Sequence, residues 1–291
     1  MRVLIAGWHG QVARALIEAA PRLPYVTALA AGRPALDVRD PRSIERAFGD
    51  LSPDMVINSA AYTAVDKAET DREAAFALNR DGAALLARAA ARRGIPVIHL
   101  STHYVFDGRK VTPYAEDDPP APETVYGRSK LEGEQAVAEA NPRHIILRTG
   151  WVFSSAANGF AARIQASAAA GTPLRVVDDQ RGNPTYAPHL AAAVLELAHR
   201  LCHETERAPV WGTYHAAGAG ETTWYRLATA LIAHTPEAGA ARIEPIASRD
   251  YPTVAPRPAN ATLACARFER DFGLRLPPWQ EGVTACVAAG R

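Results

Sequence analysis

The chain has 291 residues, 48% of them hydrophobic and 22% charged, with a formal net charge of +1. That length points to one large domain or two domains sharing a cleft, and the near-neutral charge argues against a surface made for nucleic acid or for an anionic membrane. The cysteines Cys202, Cys265 and Cys286 lie far apart and in no CxxC spacing, which argues against a disulfide framework or a zinc site and for a reducing, cytoplasmic setting. No apolar run is long enough to span a bilayer, and the chain opens directly on a strand-like run with no signal-peptide pattern before it.

Arg2-Val3-Leu4-Ile5-Ala6 reads as a buried parallel strand. Gly7-Trp8-His9-Gly10-Gln11-Val12-Ala13 follows at once and runs into a helical pattern through Leu16 and Ile17. Strand, glycine turn and helix N-terminus in that order suit a dinucleotide: Gly7 for the tight turn, Gly10 for close approach of a pyrophosphate, and the helix N-terminus to hold it. The spacing is GxxGxxA, so a plain βα turn is the other reading. Tyr25 to Leu29 is expected as the second strand. NAD-selective proteins often carry an acid at its end to hold the ribose hydroxyls, whereas this chain has Ala30-Ala31-Gly32-Arg33. The absent acid and the nearby Arg33 suit a 2′-phosphate, with a surface arginine in a loop as the alternative. Asp37-Val38 then leads into a helix from about Pro41, where proline fits the first turn.

Asp54 to Asn58 is expected as a third strand, ending in the small residues Ser59-Ala60-Ala61 ahead of Tyr62 and Thr63. An alanine-rich helix follows from roughly Asp71 to Arg93, closed by Gly94 and Pro96. Ile95 to Leu100 is the fourth strand and delivers Ser101-Thr102-His103 to the carboxyl edge, where open α/β sheets bind ligands. Next comes the stretch Val125-Tyr126-Gly127-Arg128-Ser129-Lys130. On a helix, Tyr126 and Lys130 share a face one turn apart. An ammonium beside the phenol would lower its pKa from about 10 and suit it to proton transfer near neutral pH. A tyrosine and a lysine on an ordinary solvated face have the same spacing.

His144 to Arg148 is the fifth strand, followed by Thr149-Gly150-Trp151. The alternation up to this point predicts an α/β fold with a doubly wound parallel (Rossmann) sheet over residues 1–150. Beyond it the rhythm loosens: a helix near Phe160–Ala170, a strand at Leu174–Val177, helices near Ala187–Cys202 and Thr222–Ala233, a strand at Trp211–Ala216, and a proline-rich tail. Residues 151–291 are expected to form a smaller substrate subdomain closing over the sheet's carboxyl edge, with parts of about 182–210 returning to the first domain.

Taken together, the Tyr-x-x-x-Lys pair, the threonine ending the preceding strand and the N-terminal GxxG turn resemble the extended short-chain dehydrogenases/reductases. More narrowly, nearly the whole chain resembles the dTDP-4-dehydrorhamnose reductase family. The matching stretches are GxxGQ at Gly7–Gln11, INSAAYTAVDKAE at Ile57–Glu69, STHYVFDG at Ser101–Gly108 and YGRSKLEGE at Tyr126–Glu134. RTGWVF at Arg148–Phe153, VVDDQRGNPT at Val176–Thr185 and RPANATL at Arg257–Leu263 continue it in the same order.

The resemblance implies that NADPH, or NADH, passes a hydride to C4 of dTDP-4-dehydro-L-rhamnose to give dTDP-L-rhamnose for polysaccharide synthesis. Tyr126 would protonate the C4 oxygen, Lys130 would lower the tyrosine pKa and hold the nicotinamide ribose, and Thr102 would hydrogen-bond the keto oxygen. Gly10, Gln11, Val12, Asp37, Val38, Ala61, Tyr62 and Thr63 would line the cofactor. Val65, His103 and Trp151 would line the sugar, and Arg257 could reach the diphosphate; Trp151 could equally be core, and Arg257 a structural residue. No residue is assigned to a metal, and Mg2+ and a homodimer are left open. Two positions depart from the family pattern: Ala13 replaces a glycine, and His103 replaces the aspartate of STDYVFDG. A neutral His103 could both accept from and donate to sugar hydroxyls, and its free pKa of about 6.5 predicts weaker sugar binding as pH falls through 6. A non-catalytic regulatory relative and another nucleotide-sugar reductase or epimerase are the competing readings. Retention of Thr102, Tyr126 and Lys130 favours an enzyme.

Overall fold

The computed structural model describes residues 1–156, 159–203, 210–235 and 242–290. Its first half gives β1 (Arg2–Ala6), α1 (Gln11–Ala19), β2 (Thr27–Ala31), α2 (Pro41–Leu51), β3 (Met55–Asn58), α3 (Val65–Ala68), α4 (Arg72–Phe76), α5 (Ala83–Ala91), β4 (Val97–Thr102), α6 (Val125–Ala140) and β5 (His144–Thr149). The second half gives β6 (Val152–Phe153), α7 (Phe160–Ala169), β7 (Leu174–Val177), β8 (Arg181–Gly182), β9 (Thr185–Tyr186), α8 (Ala187–His203) and β10 (Gly212–His215). It ends with β11 (Thr222–Thr223), α9 (Trp224–Ala233), β12 (Ile243–Ile246), β13 (Asn260–Ala261), α10 (Ala266–Phe272) and α11 (Trp279–Ala289).

Six strands make the central sheet in the order β10-β5-β4-β3-β1-β2, every neighbouring pair parallel. The chain steps from β1 outward to β2, then returns to the other side of β1 for β3. That reversal leaves a crevice above the carboxyl ends of β1 and β3. Every residue of β3 and β4 is buried, as expected of strands covered on both faces. Alternation along β1 divides the core: Val3 and Ile5 face a layer containing Leu16, Leu190, Val194 and Phe268, while Leu4 packs with Ile44, Phe48 and Leu86. Burying side chains of this size stabilises by about 1.5–3 kcal/mol each. A third cluster, with Phe153, Ile164, Leu227, Leu231 and Val283, joins α7, α9 and α11 into the smaller lobe.

Three differences from the sequence expectations bear on the site. Strand β2 runs to Ala31, whose carbonyl accepts from Gly7 N at 2.8 Å. Strand β4 starts two residues later than expected and carries Thr102 as its last residue. The single long helix is interrupted by a π-helical turn over Ala77–Gly82. The wider turn places the Asn79 amide indoors, where Oδ1 accepts from Tyr62 N at 2.7 Å and Nδ2 donates to Tyr62 O and Ser129 Oγ. One buried amide thus ties the π-helical turn to the loop after β3 and to α6. The second half also returns to the sheet: α8 packs on α1 in the first core layer, and β10 adds beside β5. Residues 204–209 of the stretch expected to return lie outside the described residues. Among the described residues, no helix is long and apolar enough to cross a membrane.

Candidate active site

Helix α6 begins where the Thr124 hydroxyl accepts from Gly127 N at 2.9 Å, an N-cap that satisfies one of the first turn's free donors. Two glycines let it lie close to its neighbours. A Cβ on Gly127 would stand 2.2 Å from Tyr104 O, and one on Gly133 2.1 Å from Asn79 O, so no larger residue fits without moving backbone. The helix buries Tyr126 and Lys130 on the face toward β4. Lys130 Nζ donates to Leu100 O at 2.7 Å and lies 3.2 Å from His99 Nε2. Thr102 ends β4 beside them, its Oγ1 accepting from Tyr104 N at 3.2 Å.

The expected lowering of the Tyr126 pKa is not what this arrangement gives. Burial pushes the phenol up to about 12, with the Thr102 hydroxyl acting in the opposite direction. Burial also brings Lys130 down to about 8, against a smaller upward pull from Glu134. The physical reason is that Lys130 Nζ is turned to the Leu100 carbonyl and the His99 ring, so desolvation dominates the phenol. His103 departs from expectation too. Its ring is buried against Tyr104, with centroids 4.5 Å apart, and among the described residues Nδ1 has no hydrogen-bond partner. Burial takes its pKa down to about 4, so the expected titration near pH 6 is displaced.

A cavity of about 1140 Å³ opens over the carboxyl ends of β1, β3 and β4. Thr102, Tyr126 and Lys130 line it. So do Gly10, Gln11, Val12, Ala61 and Thr63 among the expected cofactor residues, and Val65, His103, Trp151 and Arg257 among the expected sugar residues. Gly7, Arg33, Asp37, Val38 and Tyr62 do not line it. Gly7 makes the turn, at φ +101°. Arg33 is exposed two residues beyond β2. Asp37 is paired with Arg39, whose guanidinium holds the carboxyl at about 2. Val38 is buried in the α2–α5 core layer, and Tyr62 OH donates to Asp71 at 3.0 Å.

The cavity fits a dinucleotide on two counts. Helix α1 has no side-chain cap at Gly10, so its first N–H groups are free for an anion. A Cβ on Gly10 would meet nothing within 4 Å, which leaves the backbone open to close approach. The Gln11 side chain is steadied by Ser154, whose Oγ donates to Oε1 at 2.7 Å.

Trp151 adopts φ +48°, the left-handed region. That turn lays its ring on Trp224, with centroids 3.8 Å apart and 15° between planes, and against Gly182. It is therefore both packed and exposed to the cavity. Arg257 does not stand free for an anion: Nη2 donates to Asp66 Oδ2 at 2.5 Å, while Asp66 Oδ1 accepts from Ala255 N at 3.0 Å. The pair ties the segment before β13 to α3, at the cavity's edge. Trp224, Phe160 and the strap at 251–254 also line the cavity, though no local motif marks them. Nothing short of the fold pairs Trp224 with Trp151. Among the described residues no group of His, Cys, Asp and Glu side chains could hold a metal ion.

The family model of the RmlD substrate binding domain matches residues 1–291. A dTDP-4-dehydrorhamnose reductase of Sinorhizobium fredii is 45% identical over 291 residues, covering 99% of this chain and 97% of the relative. The crystal structure of a dTDP-4-dehydrorhamnose reductase from Clostridium acetobutylicum superposes with a TM-score of 0.91 at 30% identity, covering 99% of both chains. That of the Bacillus anthracis dTDP-4-dehydrorhamnose reductase, in complex with NADP, gives 0.89 at 28% identity, again over 99% of both chains.

Proposed function

Because the chain belongs to the RmlD substrate binding domain family, among the dTDP-4-dehydrorhamnose reductases, we propose that it reduces the C4 keto group of dTDP-4-dehydro-L-rhamnose with NADPH, giving dTDP-L-rhamnose. The observation that carries the reading is that Thr102, Tyr126 and Lys130 open into the same cavity as the uncapped N-terminus of α1. The bound nicotinamide would supply the hydride to C4. Tyr126 would hand its phenolic proton to the C4 oxygen as charge develops there. With a pKa of about 12 it stays protonated until then, which is the form a general acid needs. Thr102 would donate a hydrogen bond to the same oxygen. Lys130, one helical turn on from Tyr126, would favour the phenolate left behind and hold the ribose.

Residues 1–150, with parts of about 182–210 returning to them, would bind the dinucleotide, and the rest of 151–291 would bind the sugar nucleotide. Preference for NADPH over NADH is supported by the absence of an acid after β2 and by exposed Arg33. A cytoplasmic setting suits three cysteines that are all free. Retention of Thr102, Tyr126 and Lys130 argues against a non-catalytic regulatory role. A second reading, reduction of a related dTDP-sugar, is favoured by His103 in the cavity wall, where the family carries an aspartate. The test is to mix purified protein with NADPH and dTDP-4-dehydro-L-rhamnose and follow nicotinamide absorbance. Stoichiometric loss of absorbance is expected. Turnover of the sugar without net NADPH consumption would indicate an epimerase instead, and no turnover would overturn both.

A further inference from the structure

Beneath the Tyr-Lys face lies a buried chain of polar groups that the reduction does not use directly. Asn58 ends β3 and His99 lies on β4, and the two are paired in register. Asn58 Nδ2 is 3.0 Å from His99 Nδ1, and His99 Nε2 is 3.2 Å from Lys130 Nζ. At the far end, Ala60 N donates to Asn58 Oδ1 at 3.2 Å. Asn58, His99 and Lys130 are all buried.

These contacts assign the protons. A backbone N–H can only donate, so the Asn58 atom facing Ala60 is the oxygen, and the amide NH2 faces the ring. His99 Nδ1 must then carry a lone pair, and a neutral imidazole places its proton on Nε2, pointing at Lys130 Nζ. Burial holds the ring neutral, and any charge on Lys130 acts in the same direction. An ammonium has no lone pair to receive that N–H, whereas an amine has one. The hydrogen bonds are therefore complete only when Lys130 is uncharged. A charged Lys130 would donate to Nε2, which moves the ring proton to Nδ1. The Asn58 amide would have to turn its oxygen to the ring and leave the Ala60 N–H facing an NH2.

We propose that Asn58 and His99 form a two-state wire coupled to the charge of Lys130, and that His99 is a positioning residue for that lysine. In the change, one proton leaves Lys130 for the cavity, one is transferred from Nδ1 to Nε2 of His99 by exchange, and the Asn58 amide turns over. Net charge falls by one, all of it on Lys130. The other groups facing Lys130 are Tyr126 and Glu134 from its own helix, and Glu134 is itself neutralised by Arg148 of β5. Tyr104 stands edge-on to Tyr126 at 5.5 Å, and His144 of β5 acts on His99. None of these can accept the Nε2–H. The wire ends at Ala60, between Ser59 and Ala61 of the cavity wall, so the lysine's charge is linked to the backbone where the cofactor is proposed to lie. The effect on turnover rests on the reductase reading; the wiring does not.

The test is nitrogen-15 NMR of the histidine rings in the full-length protein, with and without NADP, from pH 6 to 10, His99 being assigned by its loss in His99→Gln. The expected result is a switch of the ring proton from Nδ1 to Nε2 as pH rises, with no charging of the ring. Asn58→Asp supplies an oxygen to both Ala60 N–H and Nδ1–H. It should lock the proton on Nδ1 at every pH and move the Lys130 limb of the kcat/KM profile upward by about one pH unit or more. A single His99 tautomer across the range in the wild type would overturn the wire, whether or not Asn58→Asp folds. A tautomer switch without any shift in the kinetic limb would leave the wire standing and remove its role in turnover. If neither protein reduces the sugar, the NMR result still decides the wiring while the reductase reading fails separately.

Discussion

Arg148 grips Glu134 with both arms. Its Nη2 donates to Oε2 at 2.7 Å and its Nε to Oε1 at 3.0 Å, with only 5% and 4% of the two side chains exposed. Ser101 Oγ donates to Oε1 as well, at 2.5 Å. Glu134 lies one turn beyond Lys130 and two beyond Tyr126, so the pair fastens the helix that carries them to the sheet. Removing one partner leaves the other charged and buried. Glu134→Ala should therefore destabilise by about 3–5 kcal/mol, seen as a lower urea midpoint with little change in slope. The double change Glu134→Leu with Arg148→Met should recover part of that loss. A single variant within 1 kcal/mol of wild type, on the scale of an exposed pair, would show that the bridge is not what holds α6.

Tyr126→Phe should lower kcat by ~10²–10⁴-fold, the range for loss of a general acid. The fold should survive, since the ring stays and only a hydroxyl is removed. NADPH binding, followed by protein fluorescence, should be within a few-fold of wild type. Near wild-type kcat would assign the proton to another group.

His103 makes a pH prediction whose sign follows from burial. Its folded pKa of about 4 lies below the free value of 6.5, so folding favours the neutral ring. The stability this contributes is fully present above about pH 6.5 and is lost as pH falls through 4, amounting to roughly 3 kcal/mol at most. His103→Gln should flatten the decline of Tm between those pH values. In kinetics, no limb should appear near pH 6. A kcat/KM profile that bends at pH 6 and straightens in His103→Asp would restore the free-histidine behaviour that the sequence suggests.

Arg33 stands exposed just past β2 and makes no ion pair among the described residues, although Asp37, which is paired with Arg39, feels its charge. A charge-assisted contact to a 2′-phosphate contributes ~1.5–3 kcal/mol. Arg33→Ala should then reduce the NADPH-to-NADH ratio of kcat/KM by roughly 10–100-fold. An unchanged ratio would make it a bystander.

Gly182 sits beneath the Trp151 ring, where a Cβ would be 2.4 Å from the indole. Gly182→Ala should push Trp151 off Trp224, costing about 1–3 kcal/mol of stability by overpacking. If Trp151 shapes the sugar pocket, KM for the sugar nucleotide should rise more than kcat falls, and KM for NADPH should hold. Equal changes in both KM values would point to a general loosening of the lobe.

Much of this protein can be read along the chain, because the signals are local. The apolar run of β1, the glycines behind it, Thr102 at the end of β4 and the four-residue spacing of Tyr126 and Lys130 each follow from neighbours in sequence, and the fold brings Gly10, Thr102, Tyr126 and Lys130 to one cavity. What neighbours in sequence do not carry is desolvation and long-range pairing. Tyr126 and His103 titrate away from their free values because of the walls around them. Arg257 is an anion ligand or a structural residue by the family resemblance, until the fold sets Asp66 against it. Lys130 is turned from its own helix neighbour toward His99, 31 residues away, and Trp151 meets Trp224 only because the fold packs α9 beside the turn after β5. Helix and strand periodicity depends on residues a few positions apart, so sequence determines it. Charge state and side-chain partnership depend on which groups are excluded from water together, and only the tertiary structure decides that.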